Sequence, residues 1–416
     1  MLEGLVHRKQ DHARLEASPA RDHLGPFATA LLEKHYRRKT IVRYVFSADR
    51  LSRWLQQRGQ TVQQLDEPAF AGYLHGLGRR RGGGRANGLL PTTAAGAHGF
   101  FAFLRQSGVI RAPILVPATE AEQWVASYDH HLEHAAGLSA GTRQCYCRYA
   151  RLLIVRCIGR QPLDWARLTP DGLADFVRQE AARFKPSASR MPVTAVRAFI
   201  RFLVSRGAVR SGLEGAVPTV RQWKHASLPK ALTPEEVQRV LSLCHSDTTV
   251  AVRDRAVLLL LARLGLRAGE VAAIQIEHLR WSEGELLVVP GKSGRERLLP
   301  LSDEVGRTLV AYLRRRPQSN DRRVFLCVRP PHRPLASSSV SAIASCYLRR
   351  AGLPAGHCGA HVLRHTVATQ MVRQGVSFKQ VADVLGHARL ETTAIYAKLD
   401  LETLSRLALP FPGGEP

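Results

Sequence analysis

The chain has 416 residues and carries 60 Lys and Arg against 34 Asp and Glu, a net charge of +26. A surface this basic attracts polyanions such as nucleic acid. Most of the cations are arginines and they occur in every segment, which favours phosphate contacts over binding to a membrane surface. The longest uninterrupted apolar run, residues 256–262, is far shorter than the roughly 18 residues that a membrane span needs. We therefore predict a nucleic-acid partner and no membrane partner.

The length predicts two or three domains, and the cysteines predict a reducing compartment. The seven cysteines are odd in number and form neither a Cys-x2-Cys pair nor any other metal-ligand spacing. The first residues also lack the apolar core of a signal peptide. We interpret the cysteines as reduced thiols, mostly small core residues, in a cytoplasmic protein.

One helical pattern occurs twice in the first half of the chain. Thr-x3-Tyr at 40–44 recurs at 142–146, and Phe-x2-Phe-Leu-x3-Gly at 100–108 recurs at 199–207. Apolar residues have helical spacing in both copies, without sustained alternation. The pattern predicts two helical units of similar fold, at about 30–110 and 120–212; the alternative is a chance similarity between two bundles.

A glycine-rich basic loop separates two helices of the first copy. It contains Arg79, Arg80, Arg81 and Arg85 around three consecutive glycines. Arginines are long phosphate donors and consecutive glycines resist a fixed conformation. This loop either lies along DNA or is simply a solvated connection.

Local signals organise the second half. Residues 212–231 read as a linker, and Thr-Pro-Glu-Glu at 233–236 predicts a strong helix start. A buried helix should follow at 251–264. Two short apolar runs, at 285–290 and 297–301, predict a β-hairpin with Lys292 at its turn, and the remainder should be mainly helical.

Motifs near the C-terminus carry the residues that phosphodiester chemistry needs. His-Val-Leu-Arg-His-Thr stands at 361–366, Leu-Gly-His at 385–387 and a tyrosine at 396. Upstream, Gly-Leu-Arg-Ala-Gly-Glu at 265–270 adds an arginine, and Gly-Lys-Ser-Gly at 291–294 adds a lysine. Arginine holds phosphate in a bidentate manner, imidazole binds phosphate or moves protons, and a phenol can attack phosphorus.

Together these motifs resemble the tyrosine recombinases of the phage integrase family, over roughly residues 229–405. The resemblance implies that Tyr396 is the nucleophile and that its attack leaves a 3′-phosphotyrosine. It implies that Lys292 protonates the leaving 5′ oxygen, and that His361 and His387 contact the phosphate. His361 is also a candidate to take the tyrosine proton.

The two arginines, Arg267 and Arg364, would stabilise charge on the non-bridging phosphate oxygens. Glu270 matches an acidic position of the family and should orient Arg267, while His365 is interpreted as structural support. No metal ligand and no cofactor are expected.

The resemblance also implies an architecture and partners. We predict a mainly α protein with a small β-sheet: an extra N-terminal helical domain (1–112), a helical core-binding domain (113–215), a linker (216–231), a mixed α/β catalytic domain (232–405) and a tail (406–416). The tail docks either on a neighbouring protomer or in cis. The expected partner is double-stranded DNA with inverted-repeat sites, bound by a homotetramer on two duplexes, with or without sister recombinases. The added N-terminal domain suggests a recombinase of a mobile element acting at the bacterial nucleoid.

Two other functions compete for the same motifs. His361 and His365 have the i,i+4 spacing of a zinc site, but Val362 stands where a zincin needs glutamate. The segment 375–386 resembles a helix-turn-helix, with a capping box at Ser377 and Gln380. A sequence-specific DNA-binding regulator without catalysis is therefore the alternative function, although it does not explain the conjunction of arginines, lysine and tyrosine.

Overall fold

The computed structural model describes residues 9–79, 89–110, 119–159, 163–184, 190–219, 231–289, 296–354 and 359–387, together with Thr393 and Tyr396. The chain forms two compact units. One comprises Met1–Pro113 and Ser227–Pro416, and the other comprises Ile114–Ala226. Most of the predicted linker and the whole predicted tail lie outside the described residues, so the predicted domain boundaries stay a prediction.

The first helices of the chain form a bundle with its own apolar core. They are α1 (Lys9–Glu16), α2 (Arg21–Glu33), α3 (Arg38–Gln56), α4 (Glu67–Arg79) and α5 (Leu89–Gln106), with a 3-10 turn at Val62–Gln64. Phe27 and Phe100 are almost fully buried in this core. Asp49 is buried as well, and ion pairs with Arg14 and Arg53 compensate for the burial of its charge.

The second compact unit is also helical. It contains α6 (Glu120–His134), α7 (Ala140–Leu153), α8 (Pro170–Ala182) and α9 (Arg190–Ser205), with a π-helical turn at Ile154–Ile158 and a 3-10 turn at Trp165–Arg167. Thr119, Ser139 and Thr169 cap three of these helices by accepting hydrogen bonds from first-turn amides. Such caps satisfy amides that have no partner inside the helix and thereby fix where each helix begins.

The C-terminal part of the chain combines helices with a small sheet. The helices are α10 (Pro234–Ser242), α11 (Thr249–Arg263), α12 (Ala268–Ala273), α13 (Asp303–Leu313), α14 (Ser337–Arg350), α15 (Ala360–Arg373) and α16 (Phe378–Leu385). The capping box predicted for α10 is present, because Thr233 and Glu236 each accept a hydrogen bond from the other's amide. Helix α11 is buried from Ala256 to Ala262 and forms the centre of the core.

The predicted hairpin is confirmed as part of a three-stranded antiparallel sheet. Strands β1 (Leu279–Arg280), β2 (Glu285–Val288) and β3 (Arg297–Pro300) lie in that order, and Val288 pairs with Arg297 at the turn end of β2 and β3. The fold is thus mainly α with a small β-sheet, as predicted. Within the described ranges, no helix has the length and apolarity that crossing a bilayer would require.

Candidate active site

Three arginines from three different elements converge on the C-terminal end of helix α16. Arg297 donates to the carbonyl oxygen of Val384 at 2.8 Å, Arg364 to that of Leu385 at 2.6 Å, and Arg267 to that of Gly386 at 3.0 Å. The last carbonyls of a helix have no partner within it and carry partial negative charge. The end of α16 therefore gathers cations from distant parts of the chain.

The Glu270 carboxylate lies at the centre of the same cluster. It accepts hydrogen bonds from Arg267 at 2.8 Å and from Arg297 at 2.9 and 3.2 Å, and Arg364 lies 4.0 Å away. Burial by itself raises the pKa of Glu270, but bonds from Arg297 and from the Arg267 amide outweigh that effect and leave the pKa below its ordinary value. Glu270 is thus ionised and holds Arg267 in place. This is the geometry that the predicted orienting role of Glu270 requires.

Sequence reasoning missed Arg297. Its side chain is only 9% exposed, although Arg297 is the first residue of the partly exposed strand β3. The available signal was an arginine at the first position of an apolar run, and that signal is weak because such residues are usually solvated. Only the tertiary position of Glu270 makes this arginine part of the site.

Arg364 and Arg267 differ in burial. Arg364 is 5% exposed and also donates to the carbonyl oxygen of Gly265 at 2.7 Å, whereas the Arg267 side chain is 37% exposed. Burial, followed by the neighbouring Arg267, lowers the pKa of Arg364 to about 10, so it remains protonated at neutral pH. The two guanidinium groups therefore offer an excess of positive charge over the single Glu270.

Tyr396 lies in a small apolar cluster beside these arginines. It is 1% exposed and packs with Val367, Ala368 and Leu385 among others. Its hydroxyl lies 2.5 Å from Nδ1 of His365. Burial raises the pKa of Tyr396 to about 12, although Arg364 lowers it, and burial lowers the pKa of His365. The phenol is therefore protonated and faces a neutral imidazole.

The two other histidines lie in different surroundings. Nδ1 of His387 lies 2.7 Å from the hydroxyl of Thr393, and burial together with Arg364 and Arg267 lowers the pKa of His387 to about 4. A neutral His387 whose Nδ1 is engaged by Thr393 keeps Nε2 for another partner. His361 is exposed at the start of α15, and the residue that contacts the Tyr396 hydroxyl is His365.

Several predicted site residues belong to parts of the chain other than those described. Lys292, Arg80, Arg81 and Arg85 lie outside the described residues, and of Arg79 only its backbone position at the end of α4 is described. In the part of the chain that is described, no three His, Cys, Asp or Glu side chains lie together as metal ligands would.

Comparison with known proteins identifies the class. A family model described as "Phage integrase family" matches residues 230–402, and one described as "Phage integrase, N-terminal SAM-like domain" matches residues 125–207. A putative integrase/recombinase, y4rA, of Sinorhizobium fredii is 35% identical over 96% of this chain and 97% of its own length. Tyrosine recombinase XerC of Roseiflexus castenholzii is 30% identical over 67% of this chain and 90% of its own.

Solved structures agree on the fold. The recombinase XerH, in a post-cleavage complex with a palindromic difH substrate, superposes with a TM-score of 0.52 at 17% identity, covering 70% of this chain and 96% of that one. The Tn1549 transposon integrase also gives a TM-score of 0.52, at 16% identity, covering 68% and 99%.

Fold, motifs and relatives define a tyrosine-type DNA strand-exchange enzyme that carries out site-specific recombination. The chain belongs to the phage integrase family of tyrosine recombinases. The alternative of a regulator without catalysis is not favoured. The helix-turn-helix-like segment 375–386 contains the turn after α15 and helix α16 with the Ser377–Gln380 capping box, and the arginine cluster lies at the C-terminal end of α16.

Gly386 should be sensitive to the smallest substitution. Its φ of 64° is left-handed, and an added Cβ would lie 2.5 Å from Nη1 and 3.0 Å from Cζ of Arg297. We expect Gly386→Ala to lower the free energy of unfolding by about 1–2 kcal/mol through backbone strain and by about 1–3 kcal/mol through the clash. Displacement of Arg297 should also reduce DNA cleavage.

Gly375 provides a matched control for this experiment. Its φ is 77°, and nothing lies within 4 Å of an added Cβ. Gly375→Ala should therefore show the backbone strain alone in thermal denaturation and should cleave DNA at nearly the normal rate. Equal losses of stability and cleavage in the two variants would contradict the packing of Arg297 against Gly386.

Proposed function

We propose that this recombinase cuts and rejoins DNA with Tyr396 as nucleophile and without metal, cofactor or ATP. The observation that carries the proposal is the meeting of Arg267, Arg364, His387 and a histidine-bound Tyr396 around one helix end. Cations and hydrogen-bond donors held in place before reaction stabilise charge that develops on phosphoryl oxygens. A phosphodiester bound beside Arg267 would lie against this set.

DNA cleavage exchanges one phosphate ester bond for another. The Tyr396 oxygen bonds to phosphorus, the bond from phosphorus to the 5′ oxygen breaks, and a 3′-phosphotyrosine forms. The phenol proton passes to the neutral imidazole of His365, and Lys292 supplies a proton to the departing 5′ oxygen. Arg267, Arg364, His361 and His387 hold the non-bridging oxygens. Rejoining is the reverse attack by a 5′ hydroxyl, so the bond energy is conserved.

The position of Tyr396 adds a requirement. A side chain that is 1% exposed cannot reach a DNA phosphate without movement of the segment that carries it. We propose that DNA binding moves this segment and that His365 receives the proton as the phenol leaves its apolar cluster.

The same proposal includes the assembly and the biological setting. XerH and the Tn1549 integrase are described in complexes with DNA, which supports inverted-repeat sites on duplex DNA as the substrate. We propose that four protomers act on two duplexes through a Holliday junction, with or without sister recombinases. The setting is a mobile element at the bacterial nucleoid, in the cytoplasm.

Covalent trapping tests the proposal. A nicked duplex carrying the inverted repeats that flank the gene would lose the short strand beyond the cut, so that rejoining fails and the adduct accumulates. We expect the full chain to form a protein–DNA adduct in the presence of EDTA. Failure to form any adduct on mapped repeats would favour binding without catalysis, and a requirement for Mg²⁺ would contradict the proposed chemistry.

Substitution of His365 should make cleavage depend strongly on pH. In His365→Gln the phenol keeps a hydrogen-bond partner but loses a base, so the rate at pH 7 should fall by about 10²-fold or more. At any pH below the pKa of Tyr396, which is about 12 in the buried position, the phenolate fraction rises tenfold per pH unit. The ratio of the wild-type cleavage rate to that of His365→Gln should therefore fall steadily between pH 7 and pH 10, as measured by single-turnover trapping.

His361→Gln separates the two histidines of the motif. If His361 contacts phosphate, its variant should be slower at every pH by a constant factor, without the recovery expected for His365→Gln. A recovery at high pH in His361→Gln, together with a constant deficit in His365→Gln, would assign proton transfer to His361 instead.

A further inference from the structure

The N-terminal bundle repeats the architecture of the following unit helix by helix. Helices α2, α3, α4 and α5 correspond in order to α6, α7, α8 and α9, and a 3-10 turn follows the second helix in both sets, at Val62–Gln64 and at Trp165–Arg167. A glycine with positive φ follows the last helix in each, Gly108 at 71° and Gly207 at 70°. The order of elements and turns is therefore shared.

The centre of each core has the same aromatic triangle. In the first bundle Phe27 lies 5.2 Å from Phe100 and 5.5 Å from Phe103, measured between ring centroids. In the second, Tyr128 lies 4.9 Å from Phe199 and 5.1 Å from Phe202. The remaining pairs of rings, Phe100 with Phe103 and Phe199 with Phe202, lie 6.4 and 6.3 Å apart. This agreement in packing goes beyond a chance similarity of two helical bundles. It aligns α2 with α6 and α5 with α9, and the shared order of helices then aligns α3 with α7.

The two copies differ in charge along this aligned helix. Lys39, Arg43 and Arg50 are exposed on α3, and their spacing of four and seven residues places them on one face of the helix. We call these three residues the α3 stripe. The structure records no ion pair for any of them among the described residues. Asp49, the acidic residue of α3, is buried and paired with Arg14 and Arg53, so it does not offset the stripe.

The second copy serves as an internal control for the fold. With the Thr-x3-Tyr motifs aligned, the positions of the stripe correspond to Gly141, Cys145 and Leu152 of α7. The same helix is therefore built with no cation at these positions, and the bundle does not need them. Three charges on one face, without ion-pair partners among the residues that the structure describes, raise self-repulsion, which a polyanionic partner would relieve.

We infer that residues 9–110 form a second DNA-binding unit whose α3 stripe contacts the phosphate backbone of duplex DNA. The stripe spans about 17 Å at 1.5 Å per residue, a length that matches about five base pairs at 3.4 Å each. Contacts to the phosphate backbone do not depend on the base sequence of the DNA. The inference does not depend on the proposed catalytic chemistry, because it concerns binding to any duplex.

The test is the salt dependence of binding by the full chain to a duplex without recombination sites. The stripe variant is Lys39→Gln, Arg43→Gln and Arg50→Gln together, since glutamine is tolerated well in helices. The control variant removes three exposed charges from separate places, as Lys9→Gln, Arg21→Gln and Arg307→Gln. Both variants lose the same net charge, and thermal denaturation checks that both remain folded.

The stripe variant should show a plot of log K against log salt that is less steep by about 2 to 3 than the wild type, because each phosphate contact contributes about 0.9 to the slope. The control should change the slope by much less, and the footprint should shorten only in the stripe variant. Equal slopes for the two variants would overturn the inference. A stripe variant with normal slope but impaired protein assembly would assign the stripe to a protein partner instead.

Discussion

Replacing Tyr396 with phenylalanine should abolish the covalent protein–DNA adduct while leaving DNA affinity nearly unchanged. The substitution removes only the hydroxyl oxygen, and the ring keeps its packing against Val367 and Leu385. All arginines of the site remain, and affinity is spread over many phosphate contacts. Denaturing gel analysis of the nicked substrate measures the adduct, and a binding titration measures affinity.

The loss of the bond to His365 should cost little stability, about 1 kcal/mol. Tyr312→Phe is the matched control. Tyr312 is equally buried, and its hydroxyl accepts one hydrogen bond from the Leu326 amide at 3.1 Å. This control should lose similar stability yet form the adduct normally. An adduct of normal yield in Tyr396→Phe would remove Tyr396 as the nucleophile.

The sequence predicted the fold class correctly, and its motifs already contained several residues that the structure brings together. Arg267, Glu270 and Arg364 belong to local motifs whose types and order were already informative, and the structure brings them within one cluster. The capping boxes at Thr233 and Ser377 were predictable because they depend on residues three positions apart. Hydrogen bonds between residues this close in sequence depend only on the local helix geometry, so they can be predicted without the tertiary structure.

What the sequence could not provide depends on tertiary position. His361 and His365 lie one helical turn apart on α15, and only the location of Tyr396 decides which imidazole meets the hydroxyl. In the sequence, Arg297 resembles an ordinary exposed cation at the start of a strand. Only its contacts with α16 and Glu270 in the folded protein make it part of the site. The use of helix carbonyls as arginine acceptors was likewise not encoded by any short motif.

Removal of Arg267 or Arg364, the two arginines proposed to stabilise the phosphate, should reduce DNA cleavage by about 10²- to 10³-fold, equivalent to about 2.7–4 kcal/mol of lost transition-state stabilisation. Arg267→Ala gives the cleaner measurement because its side chain is 37% exposed. Arg364→Ala should lose cleavage and stability together, because it leaves the buried carbonyls of Gly265 and Leu385 without donors. Cleavage in single-turnover trapping and thermal denaturation would be measured side by side.

Two further variants test whether Arg364 acts through its positive charge alone or through the geometry of its contacts. Arg364→Lys keeps the positive charge but cannot reproduce the forked contacts to two carbonyls, so it should still lose most of the cleavage activity. Arg263→Ala removes an exposed arginine that pairs with Glu304 and should leave cleavage unchanged. Full activity in Arg364→Lys would reduce the role of Arg364 to a point charge. Normal cleavage in both Arg267→Ala and Arg364→Ala, with DNA bound, would mean that the phosphate is held elsewhere, because the arginine cluster at the end of α16 would then serve only to fix that helix.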